Sequence, residues 1–258
     1  MCGIIAVLRR PSSREVPELV ELLGLLESVS NSLSLDDLNM LKKHVESLDF
    51  VNSQLKGLPG FLALFNNENL VPAIETSLDQ LFDYFQNPEK QLSLSSDDVE
   101  VLNVLSSRMR DLVWSIKKDR IGSYKRVIDL TSKKFTPSHQ GFSALLSLQQ
   151  ALSGLDRLEV RGRDSAGLQI LVWDHDLDDV EIPEDRLNDF LFRSGSVRKS
   201  SNGSLLFVYK TASEIGDLGD NTDSLRESIV SDVLLAKALS GKSVKANVVG
   251  HTRWASVG

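Results

Sequence analysis

Cysteine is all but missing from this 258-residue chain: there is one, Cys2. A single cysteine allows no internal disulfide, so folding has to rest on a packed core. Positive charge is not in excess either. Lys and Arg number 29 against 36 Asp and Glu, a net charge of −7, which gives no overall attraction for nucleic acid or an anionic membrane. No apolar run approaches the ~18 to 20 residues that a membrane span needs. The N-terminus also lacks the basic region, apolar core and cleavage site of a secretory leader. These absences together read as a cytoplasmic protein with no membrane and no nucleic-acid partner. What remains is ordinary globular material, 41% apolar and long enough for one large domain or two small ones.

The lone cysteine sits where removal of the initiator methionine would put a thiol and a free α-amine on one residue. Their ordinary pKa values, about 8.5 and about 7.7 to 8.0, are matched for proton exchange near neutral pH, so nucleophile and base need no histidine between them. The strand-like run Ile4 to Leu8 behind Cys2 would hold that terminus against a core.

After Arg9-Arg10-Pro11-Ser12-Ser13 the period turns helical. Leu19, Val20, Leu22, Leu23, Leu26 and Val29 form one apolar face. A second helix is expected from Ser34 as N-cap through Leu38, Leu41, Val45, Leu48, Val51 and Leu55, ended by Gly57 and Pro59. A third, with Pro72 in its first turn, turns Ile74, Leu78, Leu81, Phe82 and Phe85 inward and stops at Asn87-Pro88. A fourth runs from Ser96 to Ile116, closed by Lys117, Lys118 and Arg120. The basic residues from Lys117 to Lys134 read as a solvated helix end. His44 has no second ligand one turn on, so no metal is expected there. Residues 12–138 thus read as an all-α insertion of unassigned chemistry.

Beyond Ser138 come a helix over 142–158, a strand over 165–173, an Asp-rich turn, a polar hairpin around Arg193-Ser194-Gly195 and a strand over 204–210. A helix over 222–239 and a strand over 244–250 follow. The Asp-rich turn lacks the glycine bend and bidentate Glu of a calcium loop. The strands' apolar runs suggest sheets covered on both faces.

Three separated segments carry chemistry: Cys2-Gly3-Ile4-Ile5, Val160-Arg161-Gly162-Arg163-Asp164-Ser165-Ala166-Gly167, and Gly250-His251-Thr252-Arg253-Trp254-Ala255-Ser256. In this order they resemble the class II glutamine amidotransferases, N-terminal-nucleophile enzymes, and most of all the glutaminase domain of the glutamine:fructose-6-phosphate aminotransferase branch. The resemblance covers residues 1–9 and about 141–258. It implies a four-layer αββα sandwich of the N-terminal-nucleophile hydrolase type, incomplete in this chain. Its first part would be built by residues 1–11 and 139–258, around the insertion. It implies Cys2 as catalytic nucleophile, and a glutamine site formed by Arg161, Gly162, Arg253, Trp254 and Ser256. Neither cofactor nor metal is implied.

By the same resemblance, Arg253 would grip the α-carboxylate of glutamine, a task suited to its planar fork of donors. Trp254 would stand at the mouth of the ammonia route, and Ser256, where the family usually has threonine, would keep a hydroxyl for glutamine. Arg161 and Gly162 would line the nucleophile; Gly162, expected to follow a strand, lets backbone come close to the new terminus. Val257 replaces the family's usual histidine. The family's oxyanion element, and its aspartate for the substrate amine, lie beyond the point matching Gly258. The chain is therefore read as part of a longer amidotransferase, inactive alone. A sugar-phosphate acceptor domain is expected C-terminal to it or outside it, and a homo-oligomer in the full-length form. The alternatives are a related amide hydrolase and a degenerate, non-catalytic binding domain.

Overall fold

The structure, a computed structural model, describes every residue except 1, 11, 36, 87–95, 132–134, 161, 163, 178–180, 190, 193–194, 213–216 and 254–258, and except the side chains of residues 86, 96 and 97. The expected stop at Asn87-Pro88, the side-chain cap at Ser96, Asp178 and Asp179 of the acidic turn, and Arg193-Ser194 fall outside the described residues. The fold is α+β, and its chain divides into two compact units, Met1–Pro11 with Arg126–Gly258, and Ser12–Lys125. Among the described residues no helix is long and apolar enough to cross a membrane.

The first unit opens with strand β1 (Gly3–Val7) and then gives way to the helical unit. There α1 (Leu19–Ser32) buries Leu19, Leu22, Leu23, Leu26 and Val29, whereas Val20, expected in the same face, is exposed. The first five share one stripe of the helical period and residue 20 lies off it. Helix α2 (Leu38–Gln54) is capped by Asp37, whose carboxylate accepts from the backbone N–H of Asn39 and Met40 at 2.9 and 3.0 Å. Ser34, expected in that role, lies too early to reach the first turn. His44 is buried with its Nε2 3.4 Å from the hydroxyl and carbonyl oxygens of Ser32, part of the α1–α2 packing.

Gly57 and Pro59 do more than end α2. Gly57 takes a left-handed φ of 67° and begins α3 (Gly57–Asn66), with Pro59 in the first turn, where its missing N–H would have no helical partner. A 3-10 turn (Glu68–Leu70) leads into α4 (Val71–Gln86). Helix α5 (Ser96–Ser115) does not stop at the basic cluster; it continues through a π-helical turn (Ile116–Ile121) into α6 (Gly122–Asp129). The cations read as solvated are instead tied to α4, Lys117 to Asp79 and Lys125 to Glu75 at 2.6 Å. Phe82, expected to face inward, is exposed with Lys117 Nζ over its ring.

The first unit resumes with α7 (His139–Glu159), capped by the hydroxyl of Ser138, which accepts from Gly141 N–H at 3.0 Å. Then come β2 (Ser165–Trp173), the single-turn α8 (Glu184–Leu187), β3 (Val197–Lys199), β4 (Leu205–Thr211), α9 (Asp220–Ser231), α10 (Val233–Leu239) and β5 (Lys245–Arg253). The single helix expected over 222–239 is two helices. Asp232 breaks it: its carboxylate caps α10 at Leu235 N–H (3.0 Å) and accepts from Arg186 Nη1 and Tyr209 Oη, both at 2.7 Å.

One antiparallel sheet, in the order β1-β5-β2-β4-β3, forms the unit's centre among the described residues. α7 lies against β1 and β5, and α9 against β2 and β4. Alternation sets the faces. Ala166, Leu168, Ile170 and Val172 of β2, Leu205, Phe207 and Tyr209 of β4, and Ala246 and Val248 of β5 are all buried. The intervening residues look the other way, where Ile4 is 75% exposed, Val249 44% and Leu171 37%. The expectation of two covered faces therefore fails for the described fold: the helices of this unit cover one.

Candidate active site

β1 and β5 are neighbours in the sheet, and their pairing decides what meets at its edge. The register runs from Val7 opposite Val248 to Gly3 opposite Thr252, so the next step sets Cys2 across from Arg253. On the other side of β5, Arg253 pairs with Ser165, the first residue of β2. The first and last of the three segments expected to carry chemistry, and Ser165 of the middle one, thus converge on one corner. By alternation Cys2 shares a face with Ile4, and Arg253 with His251. That is the face the helices leave open, and Cys2 and Arg253 are both exposed there.

Packing from below fixes the corner. A Cβ on Gly3 would lie 2.9 Å from Leu158 Cδ2, so glycine lets α7 come flush against β1 immediately beside Cys2. The hydroxyl of Thr252 points to the carbonyl of Leu158 at 3.5 Å, bringing the end of α7 under β5 as well. Gly162 is buried in the connection that follows, its N–H donating to Glu159 carbonyl at 3.2 Å. It follows helix α7, not a strand: the helical period of residues 142–158 simply continues one residue further, to Glu159. Buried Glu159 then turns the other way, accepting from Gly219 N–H (2.6 Å), Thr222 N–H (2.9 Å) and the Thr222 hydroxyl (2.8 Å) at the start of α9. A carboxylate there satisfies donors that a helix N-terminus leaves open.

Of the residues expected in the site, Cys2, Gly162 and Arg253 are placed at this end of the sheet. Arg161, Trp254 and Ser256 lie outside the described residues. Two further residues of the open face were not singled out for it. His251 pairs with Ile4 on one side and Gly167 on the other, and its ring lies over Gly167, where a Cβ would sit 2.4 Å from the imidazole Cε1. Ser165 flanks Arg253. The signal for both was available only through the register, because alternation along β5 and β2 assigns them to the face of Cys2.

The side chain of Arg253 makes no hydrogen bond or ion pair among the described residues. The corner therefore offers an exposed thiol, a guanidinium fork, an imidazole and a hydroxyl on a surface with little side-chain cover, which suits a small substrate carrying a carboxylate. Among the described residues no cluster of three His, Cys, Asp or Glu side chains is arranged to hold a metal ion. No family model, curated protein or solved structure matches this chain.

Proposed function

We propose that the chain is the nucleophile-bearing part of a class II glutamine amidotransferase, with Cys2 as its catalytic residue once Met1 is removed. The freed α-amine takes the thiol proton, and the thiolate adds to the side-chain amide carbon of glutamine. Collapse of the tetrahedral adduct breaks the C–N bond, and the ammonium returns the proton to the departing nitrogen, which leaves as ammonia. Water then attacks the γ-glutamyl thioester, releasing glutamate and restoring the thiol. Arg253 pairs with the α-carboxylate of the substrate, Gly162 and Arg161 line the nucleophile, and Trp254 and Ser256 complete the glutamine pocket. Ammonia passes to a sugar phosphate, fructose 6-phosphate, on an acceptor domain that belongs to the longer protein.

The observation that carries this reading is the β1–β5 register, which ends at Gly3 opposite Thr252 and, continued one residue, brings Cys2 opposite Arg253. A thiol and a guanidinium from opposite ends of the sequence fall on one face of adjacent strands, which supports the roles proposed for them. The open sheet face supports the αββα reading: Ile4, Leu171 and Val249 are exposed on the face where a second sheet would stack, opposite the layer of α7 and α9.

Labelling with 6-diazo-5-oxo-norleucine tests the proposal. The protein as purified from its cells should gain one adduct, mapped to Cys2, and glutamine should protect it. An unmodified Cys2 would favour the degenerate binding domain instead.

A further inference from the structure

We infer that the groove between α7 and α9 is a binding site for a single phosphoryl group, free phosphate or a small phosphomonoester. The groove encloses about 260 Å³. Helix α7 serves two neighbours: Gly154, Leu155 and Leu158 meet Ile5, Gly250 and Gly3 of the sheet, whereas Gln149, Ser153, Asp156 and Arg157 line the groove. Across from them stands Arg226 of α9, with Arg126 at the side.

Arg226 carries the inference. Its Nη1 donates to the carbonyl of Arg126 at 3.2 Å, and its Nη2 donates to Gln149 Oε1. Both acceptors are neutral, so among the described residues no contact ion pair balances the guanidinium. Burial pulls its pKa below the ordinary arginine value, and Arg126 pulls the same way; Asp129 and Asp223 only partly offset this. Gln149 is 3% exposed and its amide is locked, Nε2 donating to Ser153 Oγ at 2.9 Å, so its oxygen is held toward Arg226. A guanidinium has five N–H donors, and two bonds leave the others for a ligand.

The side chain of Arg157 on the rim makes no hydrogen bond or ion pair among the described residues. Arg226, Arg157 and Arg126 line one notch, and a tetrahedral oxyanion there would take charge-assisted bonds from guanidinium groups. Two carboxylates also line the groove. Asp156 directs Oδ1 toward Gly219, which precedes α9, and Asp223 lies in the first turn of α9, so both lie at a helix end that favours negative charge. Their presence disfavours polyphosphates and offers acceptors to ligand hydroxyls, which is why one phosphoryl group is the class that fits. Nothing in this assignment depends on Cys2.

Titration calorimetry with inorganic phosphate and with glycerol 3-phosphate, at constant ionic strength, tests the site. Saturable binding of either is expected, the tighter ligand identifying the source of the phosphoryl group. The variant Arg157→Gln, which leaves every described side-chain bond intact, should weaken binding about tenfold, and Arg226→Gln at least as much. Thermal melts without ligand check that each variant is folded. No saturable binding up to about 10 mM, or binding that Arg157→Gln leaves unchanged, would overturn the assignment.

Discussion

The two faces of the sheet come from the same five strands and follow different rules. On the helix side, β2, β4 and β5 contribute an uninterrupted buried surface, from Ala166 and Val172 to Phe207 and Val248. On the other side the same strands carry Ile4, Leu171 and Val249 partly or largely in solvent, with His251 over Gly167, and Cys2 and Arg253 at the corner. The buried face has a stabilising task, since roughly 25 cal/mol follow each Å² of apolar surface removed from water. Apart from buried Val208, most of the open face has no such task within the described fold, and there side chains are free to be chosen for chemistry. Cys2 is thus held by packing it does not take part in: Gly3 and Ile5 point down onto α7 while Cys2 points away.

Substitutions can break or sharpen that contrast. Phe207→Ala on the helix face, where Phe207 has no exposed surface, should lower stability by about 3 to 5 kcal/mol in urea unfolding. A loss below about 1 kcal/mol would mean that this face is not the packed one. Asp232→Ala should cost about 3 kcal/mol, because it leaves Arg186 and Tyr209 without their shared acceptor and removes the cap of α10.

Stability should also respond to alkaline pH. Burial, and then Asp232, hold the Tyr209 hydroxyl well above its ordinary pKa of 10.0. The neutral hydroxyl is favoured in the fold, so its contribution is complete below pH 10.0 and is lost as pH rises from there through the folded value. Urea midpoints measured upward from pH 10 should fall less steeply in Tyr209→Phe than in the parent; identical slopes would remove Tyr209 as the cause. Smallest of all, Ile4→Gln on the open face should change stability by no more than about 0.5 kcal/mol.

The parts of this fold that sequence reveals are those whose cause is local. The apolar stripe over 142–158 and the runs around 4–8, 165–173 and 244–250 mark α7, β1, β2 and β5 closely, because helix and strand periods are written residue by residue. The α9–α10 break is invisible in that way. The apolar pattern runs on through it, and Asp232 is recruited by Tyr209 and Arg186, which lie 23 and 46 residues away in the chain. Helix α3 is hidden for another reason: glycine and proline stop helices more often than they start them, and only the left-handed φ of Gly57 turns the stop into a start. At the corner, Cys2 and Arg253 stand out as residue types, but their meeting follows from the β1–β5 register. The groove arginines show no pattern at all, since Gln149 and Arg226 come together across 77 residues.

Most of the functional reading rests on one chemical state, a processed terminus in which Cys2 carries both thiol and free amine. Peptide mapping by mass spectrometry after reaction with 6-diazo-5-oxo-norleucine measures that state and its reactivity together. The expected result is a chain beginning at Cys2 with the adduct on its sulfur, suppressed by glutamine. An adduct-free Cys2, or a Met1 still attached in the reactive protein, would contradict it.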